Sequence, residues 1–206
     1  TFSGLNTYGG TTRIMGGTLT LGADNALPTG STIWVDGGIL NMAGHGATTT
    51  GAVLVSGGTI TGAGTLTANA LTVSGPWSLG ANITITAAIQ LTTPLTLVAD
   101  SALTSSTGSI TITGSIDNTN ATGSSARAPQ LAYVPYNLSL NAATEVTLSG
   151  EIGATARINA LTVQSPLINL NADIGEGFGA YDIGNDAELM TVIRSASVAA
   201  RSLGVS

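Results

Sequence analysis

The sequence predicts an all-β protein, a right-handed parallel β-helix that forms a single solenoid over residues 1–206. Two patterns support this prediction: a glycine-rich unit that returns about every 20 residues, and many short segments that alternate apolar with polar residues. Composition agrees, because charged residues are 8 % and aromatic residues only 4 % of the chain. Such a chain can fill a thin core with Val, Ile, Leu and Ala, but not a thick globular one.

The glycine-rich unit is clearest in the first part of the chain, the regular repeat region 1–75. A Gly-Gly pair followed by alternating residues starts at Gly16, Gly37 and Gly57, with spacings of 21 and 20 positions. A period near 20 that contains several strands is typical of one coil of a β-helix. At roughly 20 residues per coil and ~4.8 Å between stacked strands, the chain would form about 10 coils, ~50 Å long.

Short alternating units continue along the rest of the chain, and period-two alternation predicts half-buried strands. Their apolar members should face the core. Ile39 and Leu40 are an ambiguous pair, because adjacent residues in a strand point to opposite faces. The units run over 71–73, 83–86, 95–97, 110–113, 138–140, 146–148, 161–163 and 168–170.

Two segments interrupt the regularity. Residues 117–137 are polar and contain prolines, which predicts a protruding loop with Tyr133 and Tyr136 as its partner-contacting residues. Residues 173–188 form an acidic, glycine-rich loop. The segment after it has apolar residues at helical spacing as well as β-formers, and a further coil is favoured over a helix.

Charge excludes some functions. The chain has five arginines and no lysine against 11 acids, for a formal net charge of -6, so it cannot neutralise a run of nucleic-acid phosphates. There is no cysteine for disulfides or thiolate metal sites. No run of about 18 apolar residues predicts a transmembrane helix.

Few residues are candidates for chemistry. The single histidine, His45, lies in a turn-like stretch without a Gly-x-Ser-x-Gly motif, so it is interpreted as a solvated turn residue. Calcium prefers about six to eight oxygen ligands, and the acidic loop supplies weak candidates, although its spacing matches no calcium motif. No catalytic residue and no cofactor are predicted. The calcium candidates are Asp173, Glu176, Asp182 and Asp186.

The residues also carry a family resemblance. Residues 1–12, 16–22 and 26–32, in this order and spacing, resemble the autotransporter-associated β-strand repeat. Residues 146–155 and 161–163 are similar to the degenerate repeats of filamentous-haemagglutinin-like adhesins. The resemblance implies a right-handed β-helix, export to an extracellular or bacterial cell-surface location, and a structural or adhesive role. It carries over no catalytic residue.

The function expected from these observations is a secreted or cell-surface structural module without enzymatic activity, either a filament subunit or a section of a large adhesin. Its expected partners are copies of itself, head to tail, and a host-cell or matrix surface. One alternative is a β-helix polysaccharide hydrolase or lyase that uses carboxylates such as Asp182 and Asp186, although Arg13 is the only base before Arg127. Another is an ice-binding solenoid built on the Thr-x-Thr units.

Overall fold

The computed structural model describes residues 1–119, 136–154, 156, 158–174 and 195–198, and only the backbone of 170–174 and 195–198. These residues form a parallel β-solenoid of about seven turns, with strands and no helix among them. The all-β parallel β-helix predicted from the sequence is confirmed. The described residues contain no helix that is long and apolar enough to cross a membrane.

The described residues form about seven turns, whereas ten were expected for the whole chain. Hydrogen bonds between neighbouring turns usually join residues 18 to 23 positions apart. Across the segment before Tyr136 they join residues 37 and 39 positions apart, from Asp100 to Asn137 and from Asp117 to Ala156. One turn therefore takes up nearly twice the usual length of chain.

Each turn contributes to three stacks of parallel strands, which we call the first, second and third faces. The first face consists of β1 (Thr12–Ile14), β3 (Ile33–Asn41), β5 (Ala52–Ala68), β6 (Ala70–Val73), β8 (Ile89–Leu91), β11 (Ile110–Ile112), β14 (Val146–Leu148) and β16 (Ile168–Ile174), with β17 (Ser195–Val198) paired to β16. The first residues of β3 and β5 stack between β1 and β6, and a second sheet continues this face from β8 onward.

The second and third faces share the long strands, which bend around the corners of the coil. β3 and β5 continue onto the second face, and β5 and β7 (Trp77–Ile85) span the second and third faces. The second face adds β2 (Thr18–Thr20), β9 (Leu95–Leu97) and β12 (Ile116–Asn118). The third adds β4 (Ala47–Thr48), β10 (Ser101–Ser105), β13 (Asn137–Ala142) and β15 (Ala160–Gln164).

The core is a narrow column of aliphatic side chains that point inward from all three faces. Equivalent residues of successive turns stack in register, so Ile33 lies beside Val53 and Leu66 beside Ile83. All four side chains are completely buried. Burial on this scale is the main stabilising contribution in a solenoid, because each turn buries its apolar side against the next.

The predicted strand units are confirmed, and most of their apolar residues are buried. Leu40 is fully buried and Ile39 is 36 % exposed, which resolves the ambiguous pair. Of the predicted loop 117–137, Asp117 lies in β12 and Asn137 in β13. Residues 120–135 lie outside the described part of the chain, as does most of the acidic loop 173–188.

The repeated glycine pairs have a steric cause. Gly58 has φ +85°, and a Cβ atom on it would collide with the carbonyl oxygen of Gly38 in the turn below. A Cβ atom on Gly38 would collide with the side chain of Ile14, one turn further down. The Gly-Gly unit thus recurs because successive backbones approach closely where the first face meets the second.

Candidate functional site

A groove lies at the corner between the second and third faces of the described rod. We call it the corner groove, and its volume is about 780 Å³. Its floor is built from small residues on neighbouring turns, including Ala63, Gly80 and Ala99. A Cβ atom on Gly80 would lie 2.8 Å from the Val98 side chain, so a larger residue there would force that side chain to move. The remaining lining residues are Gly64, Ala81, Asn82, Asp100, Ser101, Ala102, Tyr136, Asn137 and Ser139.

Polar side chains border this groove on the side of β13. The backbone N–H of Asn137 donates a 2.8 Å hydrogen bond to Oδ1 of Asp100, and Asn137 Nδ2 donates one of 3.1 Å to Oδ2. Asn159 Nδ2, on the next turn, donates to Asn137 Oδ1 at 2.8 Å. The three residues form a ladder along the rod that fixes the direction of the Asp100 carboxylate.

A second polar cluster lies on the outer surface of the first turns. Arg13 donates to Asp36 through both Nε, at 2.9 Å, and a terminal nitrogen, and its guanidinium lies 4.0 Å from the centre of the Trp34 ring. Ser56 donates to Asp36 at 2.7 Å and accepts from Trp34 Nε1 at 2.9 Å. The Ser56 hydroxyl and then Arg13 hold the pKa of Asp36 below its ordinary value of 3.8. Arg13, Asp36 and Ser56 lie on three successive turns, and the hydrogen bonds between them link these turns.

His45 lies in a corner turn, as the sequence predicts, and contacts a carboxylate. Its Nδ1 is 3.4 Å from Oδ1 of Asp24, which also accepts a 2.8 Å hydrogen bond from the backbone N–H of Gly46. The Gly46 hydrogen bond is the main cause that holds the pKa of Asp24 below its ordinary value of 3.8. In the described ranges there is no group of three His, Asp or Glu side chains that could hold a metal ion.

The structure describes only some of the residues singled out from the sequence. Tyr136 is partly buried, packs against the core and lines the corner groove, while Tyr133 lies outside the described residues. The backbone of Asp173 is part of β16. Glu176, Asp182 and Asp186 lie outside the described residues. Calcium binding by the acidic loop and partner contact through the tyrosines stay predictions.

Sequence reasoning missed the corner groove, because residues far apart in the chain build it. Asp100 directly precedes β10, and its hydrogen-bond partner Asn137 lies 37 positions later in the chain. Only the stacking register brings them together. No local motif could have identified Asp100 as a groove residue.

Comparison with known proteins finds similarity over short stretches of the chain. The sequence model of the LamB/YcsF family matches residues 168–202. Curated relatives match over 32 residues, 16 % of this chain. They are A subunits of 5-oxoprolinase, from Pseudomonas syringae pv. tomato at 62 % identity, Azoarcus sp. at 59 % and Brevibacillus brevis at 56 %. The chain spans only 12 to 13 % of the length of these relatives. No solved structure matches.

These matches correct the expectations that rested on the autotransporter and haemagglutinin resemblance. The matched family and the names of the relatives point to an enzyme family, so the predicted family, adhesive function, absence of enzymatic activity and extracellular location are wrong. The alternative expectation of an enzyme agrees better with these matches, but the names of the relatives refer to 5-oxoproline and not to a polysaccharide. The physical reason is that alternation, glycine pairs and Thr-x-Thr units are requirements of the coil. They therefore predict the fold and not the family.

Proposed function

We propose that this chain contributes to an enzyme that acts on 5-oxoproline, the compound in the names of the matching relatives, and that residues 168–202 carry this contribution. The observation that supports the proposal is the identity of 56 to 62 % over 32 residues. The family model also matches a single segment, residues 168–202. The solenoid then serves as the scaffold of that segment.

The start of this segment is anchored to the rod. Ile168 pairs with Val146 and Leu170 with Leu148, so β16 continues the first face in register. Beyond that point β16 pairs in parallel with β17 along residues 171–174 and 195–198. A functional segment attached to stacked strands is positioned more precisely than one on a free loop.

The residue types of this segment suit the opening of a cyclic amide. Ring opening of 5-oxoproline by water forms a bond from the water oxygen to the carbonyl carbon and breaks the ring C–N bond. The proton lost by water is delivered to the departing nitrogen, a transfer for which a carboxylate is a suitable general acid–base group. Carboxylates are frequent between 168 and 202, and they are Asp173, Glu176, Asp182, Asp186 and Glu188.

Binding of 5-oxoproline to the full chain is the direct test, with its conversion to glutamate followed by NMR in the same samples. The variants Asp186→Asn and Glu188→Gln should weaken binding or conversion by about tenfold or more, the loss expected for a charge-assisted hydrogen bond. The matched controls are Glu145→Gln and Glu151→Gln, on turns outside the segment. Absence of binding, or an equal loss in the controls, would overturn the proposal.

A further inference from the structure

We propose that the corner groove binds a small organic cation, with an ammonium group beside Asp100 and an alkyl stem on the floor of the groove. This inference is independent of the function proposed for residues 168–202, because none of the groove residues belongs to that segment.

Charge selects the sign of the ligand. Among the described residues that line the groove, Asp100 is the only charged one. Arg13 is the only arginine in the described ranges, and it pairs with Asp36 on another part of the surface. The whole chain carries a formal net charge of -6, so its field repels anions and attracts cations.

The carboxylate is oriented before any ligand arrives. Asn137 uses two donors on it, one for each oxygen, and Asn159 holds the Asn137 side chain. An ionised carboxylate accepts about four hydrogen bonds, so acceptor capacity remains for the three donors of an ammonium group. Because the acceptor is already fixed by this ladder, binding orders little protein and costs less conformational entropy.

The shape of the groove suits an alkyl amine better than a metal ion. A divalent cation such as calcium needs about six to eight oxygen ligands, whereas this lining offers a single carboxylate. The floor residues Ala63, Gly80 and Ala99 are small and carry no polar side chain. A stem of several methylene groups can lie along the floor and gain free energy from the apolar surface that it buries.

The test uses n-pentylamine, which is an ammonium ion at pH 7, and 1-pentanol as its uncharged counterpart of the same length. The ¹⁵N-labelled full chain is titrated with each compound by NMR. Pentylamine should shift the amide signals of Gly80, Ala81 and Ala102 along one saturable curve, and pentanol should bind several-fold more weakly. Asp100→Asn should weaken pentylamine binding by about threefold, within the range measured for exposed ion pairs. Asn at this position keeps an acceptor for the Asn137 N–H.

Two further variants separate the groove from general attraction to an acidic protein. Glu151→Gln removes an exposed carboxylate outside the groove and should leave pentylamine affinity unchanged. Ala102→Leu keeps every charge but fills the groove, and should weaken binding as much as Asp100→Asn or more. Equal weakening by Asp100→Asn and Glu151→Gln, full affinity in Ala102→Leu, or amide shifts without saturation would overturn the inference.

Discussion

At the scale of single residues, the stability of a solenoid with few charges depends on whether its buried polar atoms have hydrogen-bond partners. In the described turns, two buried side-chain atoms lack a hydrogen-bond partner, the Nε1 atom of Trp77 and the Oγ1 atom of Thr93. Both residues lie where the first face turns toward the second, and the backbone N–H of Trp77 donates to the carbonyl of Pro94, next to Thr93. A buried polar atom without a partner costs stability, so this corner is a local weak point of the rod.

Replacing Thr93 by Val should therefore stabilise the protein. Valine keeps the β-branched shape and removes the unsatisfied hydroxyl, which is expected to raise the free energy of unfolding by about 1 kcal/mol. Chemical denaturation measures the change. The neighbouring exposed Thr92 is the matched control, and Thr92→Val should stay within about 0.5 kcal/mol of the parent. A loss of stability in Thr93→Val would mean that its hydroxyl has a partner.

The Asp36 cluster makes a prediction about acid stability. The pKa of Asp36 is lowered in the folded state. The contribution of the ionised Asp36 to the free energy of unfolding is therefore complete above the ordinary pKa of 3.8, and it is lost as pH falls through the lower pKa of the folded state. Asp36→Asn should show a smaller fall in melting temperature between pH 5 and pH 2 than the parent, measured by circular dichroism. Arg13→Gln, which removes the second cause of the shift, should show a partial effect. Parallel curves for all three proteins would contradict the assignment.

At the scale of secondary-structure elements, β3 provides a stringent test of the inward and outward faces. Leu40 has no exposed surface, whereas its neighbour Ile39 is 36 % exposed. Leu40→Ala should lower the free energy of unfolding by about 2–5 kcal/mol, as expected for a buried aliphatic residue, and Ile39→Ala by less than about 1 kcal/mol. Denaturant unfolding of the two variants gives both values. Equal losses would show that the register of β3 is shifted by one residue.

The third face shows how a one-dimensional repeat produces an ordered surface. Thr48, Thr67, Thr84 and Thr104 are partners in successive turns, so their side chains form a continuous ladder. The Thr-x-Thr units are irregularly spaced in the sequence because they lie on different faces. The units that start at Thr18 and Thr59 lie on the second face, those that start at Thr65 and Thr84 on the third, and the one that starts at Thr111 on the first. The alignment follows from strand pairing, and cross-strand threonine pairs contribute modestly to sheet stability.

At the scale of the whole molecule, the predicted association of copies stays open to test. Large apolar side chains are exposed on the first turn, with Leu5 82 % and Met15 67 % exposed. Large exposed apolar side chains gain free energy when a second protein molecule covers them. We expect the sedimentation coefficient to rise with concentration, and the rise to diminish in a Leu5→Ser, Met15→Ser double variant. Concentration-independent sedimentation of the parent would remove the prediction of self-association.

The sequence alone determined the fold class, the strand units and most of the core, because period-two alternation and glycine spacing are direct requirements of a stacked coil. Only the tertiary structure decided between Ile39 and Leu40, since either alternation satisfies the pattern until the pairing of β3 is known. Only the tertiary structure brought Asp100 to Asn137 and formed the corner groove, because the register between turns depends on insertions whose length the local pattern does not encode. Family and function were misjudged from the repeats for a related physical reason: residues that serve the coil are shared by unrelated solenoids, whereas the family model matches residues 168–202, after most of the repeats.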